Sequence, residues 1–198
     1  MAAQEPTDLE AALRRLVEDL RGAAVSFALV GGLAISIRAE PRLTRDIDVA
    51  VSVGGDAQAE AIVHQLIQRG YHPETVLEQE LTGRLATVRL VHRDRPDIVV
   101  DLLFASCGIE PEIVGRSQNL EALPGLVLPV ARAGHLIAMK LLARDDRRRP
   151  ADADDLRALA AVADQSDWSL AREAVHLITE RGYHRGRDLA ADLAELRG

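Results

Sequence analysis

A mixed α/β domain closed on one side by a helical segment is the fold class that the sequence predicts, on three observations. Up to about residue 128, short runs rich in Val, Ile and Leu alternate with stretches whose apolar residues recur every three or four positions. Beyond that point only the helical spacing is left. Asp46-Ile47-Asp48-Val49 alternates acid and apolar residue, as in a strand with one packed and one open face. The chain therefore divides softly into a sheet-bearing core, residues 1–128, and a helical segment packed on it, residues 129–198.

The elements follow in order. Thr7 and Glu10 have the form of a capping box, and Leu9, Leu13, Leu16, Val17 and Leu20 then repeat at helical spacing as far as Gly22. Residues 26–30 are a short β-rich run ending at Gly31-Gly32, and residues 33–39 make a brief helix halted before Pro41. Residues 46–53 are a second strand, and residues 57–69 a helix with Gly70 as its stop. Residues 84–92 and 97–104 read as adjacent strands across the turn Arg93-Asp94-Arg95-Pro96. Residues 131–144, 152–163, 170–181 and 189–197 all carry the helical spacing. Arg69-Gly70-Tyr71-His72 and Arg181-Gly182-Tyr183-His184 are alike because each is a helix ending in glycine with an aromatic contact behind it, not because the chain repeats.

Composition excludes several classes. The 198 residues can bury a core of their own. No apolar run approaches the roughly 20 residues that span a bilayer. Met1-Ala2-Ala3-Gln4-Glu5 shows no basic region leading into an apolar stretch, so a cytoplasmic protein is expected, and the lone Cys107 fits a reducing compartment. A net charge of -7 argues against a general nucleic-acid coat, which needs a basic surface. Phosphate-loop, His-Glu-x-x-His and Gly-x-Ser-x-Gly motifs are absent, and the six histidines show no ligand spacing.

Chemistry is expected around Asp46 and Asp48, which a strand presents on one face. At about 5 Å and an effective dielectric near 20 their repulsion is on the order of 3 kcal/mol, which a dication would relieve. An oxygen-only ligand set favours Mg²⁺ or Mn²⁺. Asp101, inside the apolar run Ile98-Val99-Val100-Asp101-Leu102-Leu103-Phe104, is costly to bury unpaired and is the third-ligand candidate, ahead of Asp97 beside Pro96. Gly31 and Gly32 leave backbone N–H groups open to a phosphate, unless they form a plain turn. Lys140 is the only lysine among 24 lysines and arginines, and Arg144 lies one helical turn on, so the two could grip a triphosphate. Asp152 and Asp155 are also one turn apart, a spacing that helix capping after Pro150 explains equally well.

Leu29-Val30-Gly31-Gly32 followed by Arg42-Leu43-Thr44-Arg45-Asp46-Ile47-Asp48-Val49 resembles the nucleotidyltransferase superfamily signature, and within it the AbiEii-type branch of type IV toxins. Lys140-Leu141-Leu142-Ala143-Arg144 and Arg149-Pro150-Ala151-Asp152-Ala153-Asp154-Asp155-Leu156 are similar to the branch's later segments, except that Ala151 stands where the branch usually has lysine. The resemblance spans roughly residues 27 to 160. It implies a nucleotidyltransferase-like mixed sheet and a metal-dependent transfer of NMP from an NTP to an acceptor hydroxyl. Asp46, Asp48 and Asp101 would hold the metal, with Asp101 and Lys140 assisting chemistry. Gly31, Gly32, Thr44, Arg45, Lys140, Arg144, Asp152 and Asp155 would bind nucleotide. A toxin acting on tRNA or another RNA, with a cognate antitoxin, is the implied role. An aminoglycoside-type transferase is the alternative if the cleft proves acidic. A silent antitoxin or binding module of the same fold is the third reading, and the three intact carboxylates speak against it.

Overall fold

The computed structural model describes residues 7–41, 44–80, 82–144 and 151–197. Arg42, Leu43, Arg149 and Pro150 of the motifs above, with Met1 to Glu5, lie outside the described residues.

Helix α1 (Asp8–Gly22) opens on the expected capping box, Thr7 with Glu10, and buries Leu13, Leu16, Val17 and Leu20. Strand β1 (Phe27–Val30) is buried along its whole length and runs directly into α2 (Gly31–Arg38). Next come β2 (Asp46–Val51), α3 (Asp56–Gln68), β3 (Tyr71–Glu78), β4 (Leu85–His92) and β5 (Arg95–Leu103). A short α4 (Glu110–Gly115) leads to the hairpin β6 (Gln118–Leu123) and β7 (Leu126–Val130). Four helices close the chain: α5 (Ala133–Ala143), α6 (Ala151–Val162), α7 (Gln165–Glu180) and α8 (Leu189–Arg197). No helix among the described residues is long and apolar enough to cross a membrane.

The strands form one seven-stranded sheet in the order β3-β4-β5-β2-β1-β7-β6. It is mixed, as expected: β2 runs parallel to β5 and β1 parallel to β7, while the remaining pairs are antiparallel. Central strands β1 and β2 are the most deeply buried, and the Ile47, Val49 and Val51 face of β2 is sealed in the core. Arg38 at the end of α2 ties the β1–β7 junction, donating to the carbonyls of Val130 and Ala131. Helices α5 and α7 touch backbone to backbone: a Cβ on Gly134 would fall 2.1 Å from the Asp167 carbonyl oxygen.

Three strands escape the sequence pattern. Strand β3 sits at the sheet edge with all but Tyr71 exposed, so no alternation marks it, and Pro73 reads as a breaker. Strand β6, at the other edge, is half polar and nowhere fully buried, and β7 carries Pro129, which reads as a breaker although Leu126, Leu128 and Val130 alternate inward. The β4–β5 turn is also tighter than expected: His92 pairs with Arg95, leaving Arg93-Asp94 as the loop and Pro96 inside β5. The two Arg-Gly-Tyr-His segments are explained as helix ends: Gly70 and Gly182 both have positive φ, and Tyr71 and Tyr183 are buried behind them.

Candidate active site

The parallel pairing of β2 with β5 sets Asp48 opposite Asp101 and Asp46 opposite Val99, so carboxylates from two distant segments share one face of the sheet. Antiparallel β1 sets Val30 opposite Asp48, and the chain turns there into α2. Gly31 takes φ +63°, and a Cβ at this position would lie 1.9 Å from the Asp48 carboxylate. Only glycine lets the helix N-terminus close on that acid. The Gly32 N–H then donates to Asp48. Even so, burial first, then the charges of Asp101 and Asp46, push the Asp48 carboxyl up to about 6.

These groups floor a cleft of about 610 Å³. Its other wall comes from α5 and the start of α6, with Lys140, Ala143, Ala151 and Asp152. Lys140 lies 2.7 Å from Asp152 and 2.7 Å from Asp155, both of which are buried. The acids that open α6 thus do more than cap it: they fix the single lysine. An ammonium has three donors, so this pairing leaves one for a ligand.

Arg89 is the cleft residue that sequence reasoning misses. It faces Asp101 across the β4–β5 ladder and donates to both carboxylate oxygens, at 2.9 and 2.8 Å. These bonds hold its guanidinium above the ordinary arginine value. Asp101 is therefore part-buried as half of a bidentate ion pair, which answers the cost that singled it out.

The expected site residues divide in two. Gly31, Gly32, Thr44, Asp46, Asp48, Asp101, Lys140 and Asp152 all line the cleft. Thr44 does so while its hydroxyl faces the Asp46 carbonyl at 3.5 Å. Asp155 does not line the cleft but pairs with Lys140, which does, and Arg45 is exposed outside it. Arg144 is the C-cap of α5, one residue past Ala143, and does not line the cleft. Asp97 is exposed, as its place beside the turn implied.

Among the described residues no three His, Cys, Asp or Glu side chains converge as a complete metal cage. The donor set fits a different arrangement, in which Mg²⁺ takes one or two carboxylates from the protein and its remaining ligands from phosphate and water. Asp46 and Asp48, side by side on the cleft face of β2, are the pair that matches it.

The sequence model of one family, the nucleotidyl transferase AbiEii toxin of type IV TA systems, matches residues 12–197. The chain belongs to this family. AbiEii membership makes it a nucleotidyl transferase, and the match takes in the sheet, the cleft and the closing helices. Solved structures agree on the fold. An antigenic nucleotidyltransferase-like protein from Paracoccidioides brasiliensis is 15% identical with a TM-score of 0.55, the alignment covering 98% of this chain and 95% of that one. The lincosamide antibiotic adenylyltransferase LnuA, bound to lincomycin, is 13% identical with a TM-score of 0.50, covering 78% and 98% respectively. No curated protein matches the chain in sequence. Ala151, the departure from the AbiEii pattern, lines the cleft, so the lysine expected there would have added a cation to its wall.

Proposed function

We propose that this AbiEii protein carries out divalent-metal-dependent transfer of a nucleoside monophosphate from an NTP to an acceptor hydroxyl in the cytoplasm, where NTPs are held. The observation that carries the reading is the Asp48 carboxylate pressed against the Gly31-Gly32 helix start, with Asp46 and Asp101 beside it.

Asp46 and Asp48 would hold Mg²⁺ or Mn²⁺, which when bound would neutralise the crowded carboxylates and polarise the triphosphate. The N-terminus of α2 offers backbone N–H groups to the phosphates. Asp101 keeps lone pairs beyond the two that Arg89 engages, and so can accept the proton of the attacking hydroxyl. The acceptor oxygen forms a bond to the α-phosphorus as the bond to the β-phosphate oxygen breaks, and pyrophosphate leaves. Lys140 offers its remaining donor to the charge on that leaving group. Asp152 and Asp155 position the lysine and need not touch the nucleotide. Arg89, inside the cleft, is better placed than Arg45 or Arg144 to act on substrate.

Membership in a family of toxin–antitoxin systems supports a cognate antitoxin, and the acceptor taken in the first reading is an RNA, tRNA included. One observation favours the second reading, a small cationic acceptor of the aminoglycoside type. Four aspartates, Asp46, Asp48, Asp101 and Asp152, line the cleft against two cations, Arg89 and Lys140. Such a wall attracts ammonium groups and repels phosphates. The purified protein should be incubated with Mg²⁺, each labelled NTP in turn, and either total RNA or an aminoglycoside, beside Asp46→Ala/Asp48→Ala and EDTA controls. Label passing to RNA only with metal and intact aspartates supports the first reading, and label passing to the aminoglycoside supports the second. Transfer by the double variant, or in EDTA, would overturn the mechanism.

A further inference from the structure

Away from the cleft, α7 and α8 enclose a second groove of about 690 Å³. From α7 it is lined by Trp168, Arg172, Val175 and Thr179, whose spacing of four, three and four is that of one seam of a coiled coil. From α8 come Ala190, Leu193, Ala194 and Arg197, again at spacings of three and four. The floor residues Val175 and Leu193 are already packed into the core, and the exposed Ala190 and Ala194 leave room above them for a backbone to approach. The α7 seam from residue 168 to residue 179 runs about 16 Å, roughly three helical turns.

The rim has a sign. No Asp or Glu lines the groove, although the chain as a whole carries a net charge of -7. Arg197 lies 5.8 Å over the Trp168 ring, and Arg172 donates to Ser169. Among the described residues neither guanidinium has a carboxylate within ion-pair distance. His176, also on the rim, already faces Glu180 at 3.8 Å. The two arginines therefore hold unspent positive charge on either side of an apolar floor of Trp168, Val175 and Leu193.

We propose that this groove docks one amphipathic helix of a partner protein, with an apolar face for the Trp168–Leu193 floor and acidic residues flanking it for Arg172 and Arg197. The inference is independent of the transfer reaction, since no residue of the groove lines the cleft.

Trp168 is the only tryptophan of the chain, so its fluorescence reports on the groove directly. Two designed helical peptides of about 16 residues, identical in their leucine face and carrying either Glu or Lys at the flanks, serve as probes. The Glu peptide should shift Trp168 emission and bind about tenfold or more tightly than the Lys peptide, with the preference falling in salt. Arg172→Glu/Arg197→Glu should reverse the preference while NMP transfer is unchanged. Ala194→Phe, which fills the groove without altering charge, should abolish binding of both peptides. Equal binding of the two peptides, binding indifferent to these variants, or sedimentation showing that a second copy of the chain fills the groove would each overturn the proposal.

Discussion

Replacing Asp48 by Asn should stabilise the metal-free protein, and the gain should depend on pH in a specified way. Asn keeps the size of the side chain and an oxygen to accept from Gly32, so the substitution removes the charge and little else. The carboxyl titrates at about 6 in the folded chain against an ordinary 3.8. At about 1.4 kcal/mol for each tenfold change in proton affinity, that gap corresponds to about 3 kcal/mol. Asp48 is only partly buried, and water in the open cleft lowers the expectation to about 2–3 kcal/mol. The sign follows from linkage. Between pH 3.8 and about 6 the folded state holds the proton that the unfolded state has released, so stability falls as pH rises through this window and is level above it. The gain from Asp48→Asn is thus absent near pH 3.8 and complete by pH 7.5. Urea unfolding in EDTA at several pH values measures it, and at about 2–4 °C per kcal/mol the melting temperature at pH 7.5 should rise by about 5–10 °C. A gain of equal size at both ends of the range, or none at pH 7.5, would refute the claim that repulsion and burial strain this acid.

Gly31→Ala should reduce transfer by about 100-fold or more, because the new methyl occupies the place of the Asp48 carboxylate at a left-handed φ; steady-state kinetics beside a urea titration would separate this from a general loss of fold. Lys140→Met should cost about 3–5 kcal/mol in urea unfolding, since it strands two buried carboxylates, and adding Asp152→Asn and Asp155→Asn to it should restore much of that loss. His135 in α5 is buried with its Nδ1 unpartnered, and burial brings its imidazole down from 6.5 to about 4. The unfolded chain takes up that proton first as pH drops, so stability should decline from pH 6.5 to about 4 by about 3 kcal/mol. His135→Leu should flatten that part of a stability–pH curve.

The two faces of β2 were legible because strand parity is local: Asp46 and Asp48 must share a face, and Ile47 and Val49 must share the other. Asp101 was legible because a charge inside an apolar run needs a partner. The identity of that partner was not. If the pairing of His92 with Arg95 continued without interruption, Arg89 would stand opposite Ile98. A register shift after Val91 carries it to Asp101 instead. An irregularity of this kind depends on how the hairpin packs, and nothing in the run of residues announces it. The lone lysine drew attention to Lys140, yet its two partners lie in a separate helix, so Asp152 and Asp155 read equally well as helix caps or as nucleotide ligands and their pairing with the lysine went unseen. Arg144, read as the last residue of its helix, is instead the C-cap, a one-residue difference of the kind common at helix ends.

The parallel pairing of β2 with β5 also bears on how the protein comes into being during synthesis. Parallel neighbours cannot be joined by a tight hairpin, and here α3, β3 and β4 intervene before β5 can dock. A chain emerging from the ribosome has Asp46 and Asp48 early, but Asp101 only after Leu103 has cleared the exit, and the aspartates of Lys140 only with α6. The set of acids and cations that lines the cleft is therefore incomplete in every shorter nascent chain, and it is assembled only when the last third of the protein has been made.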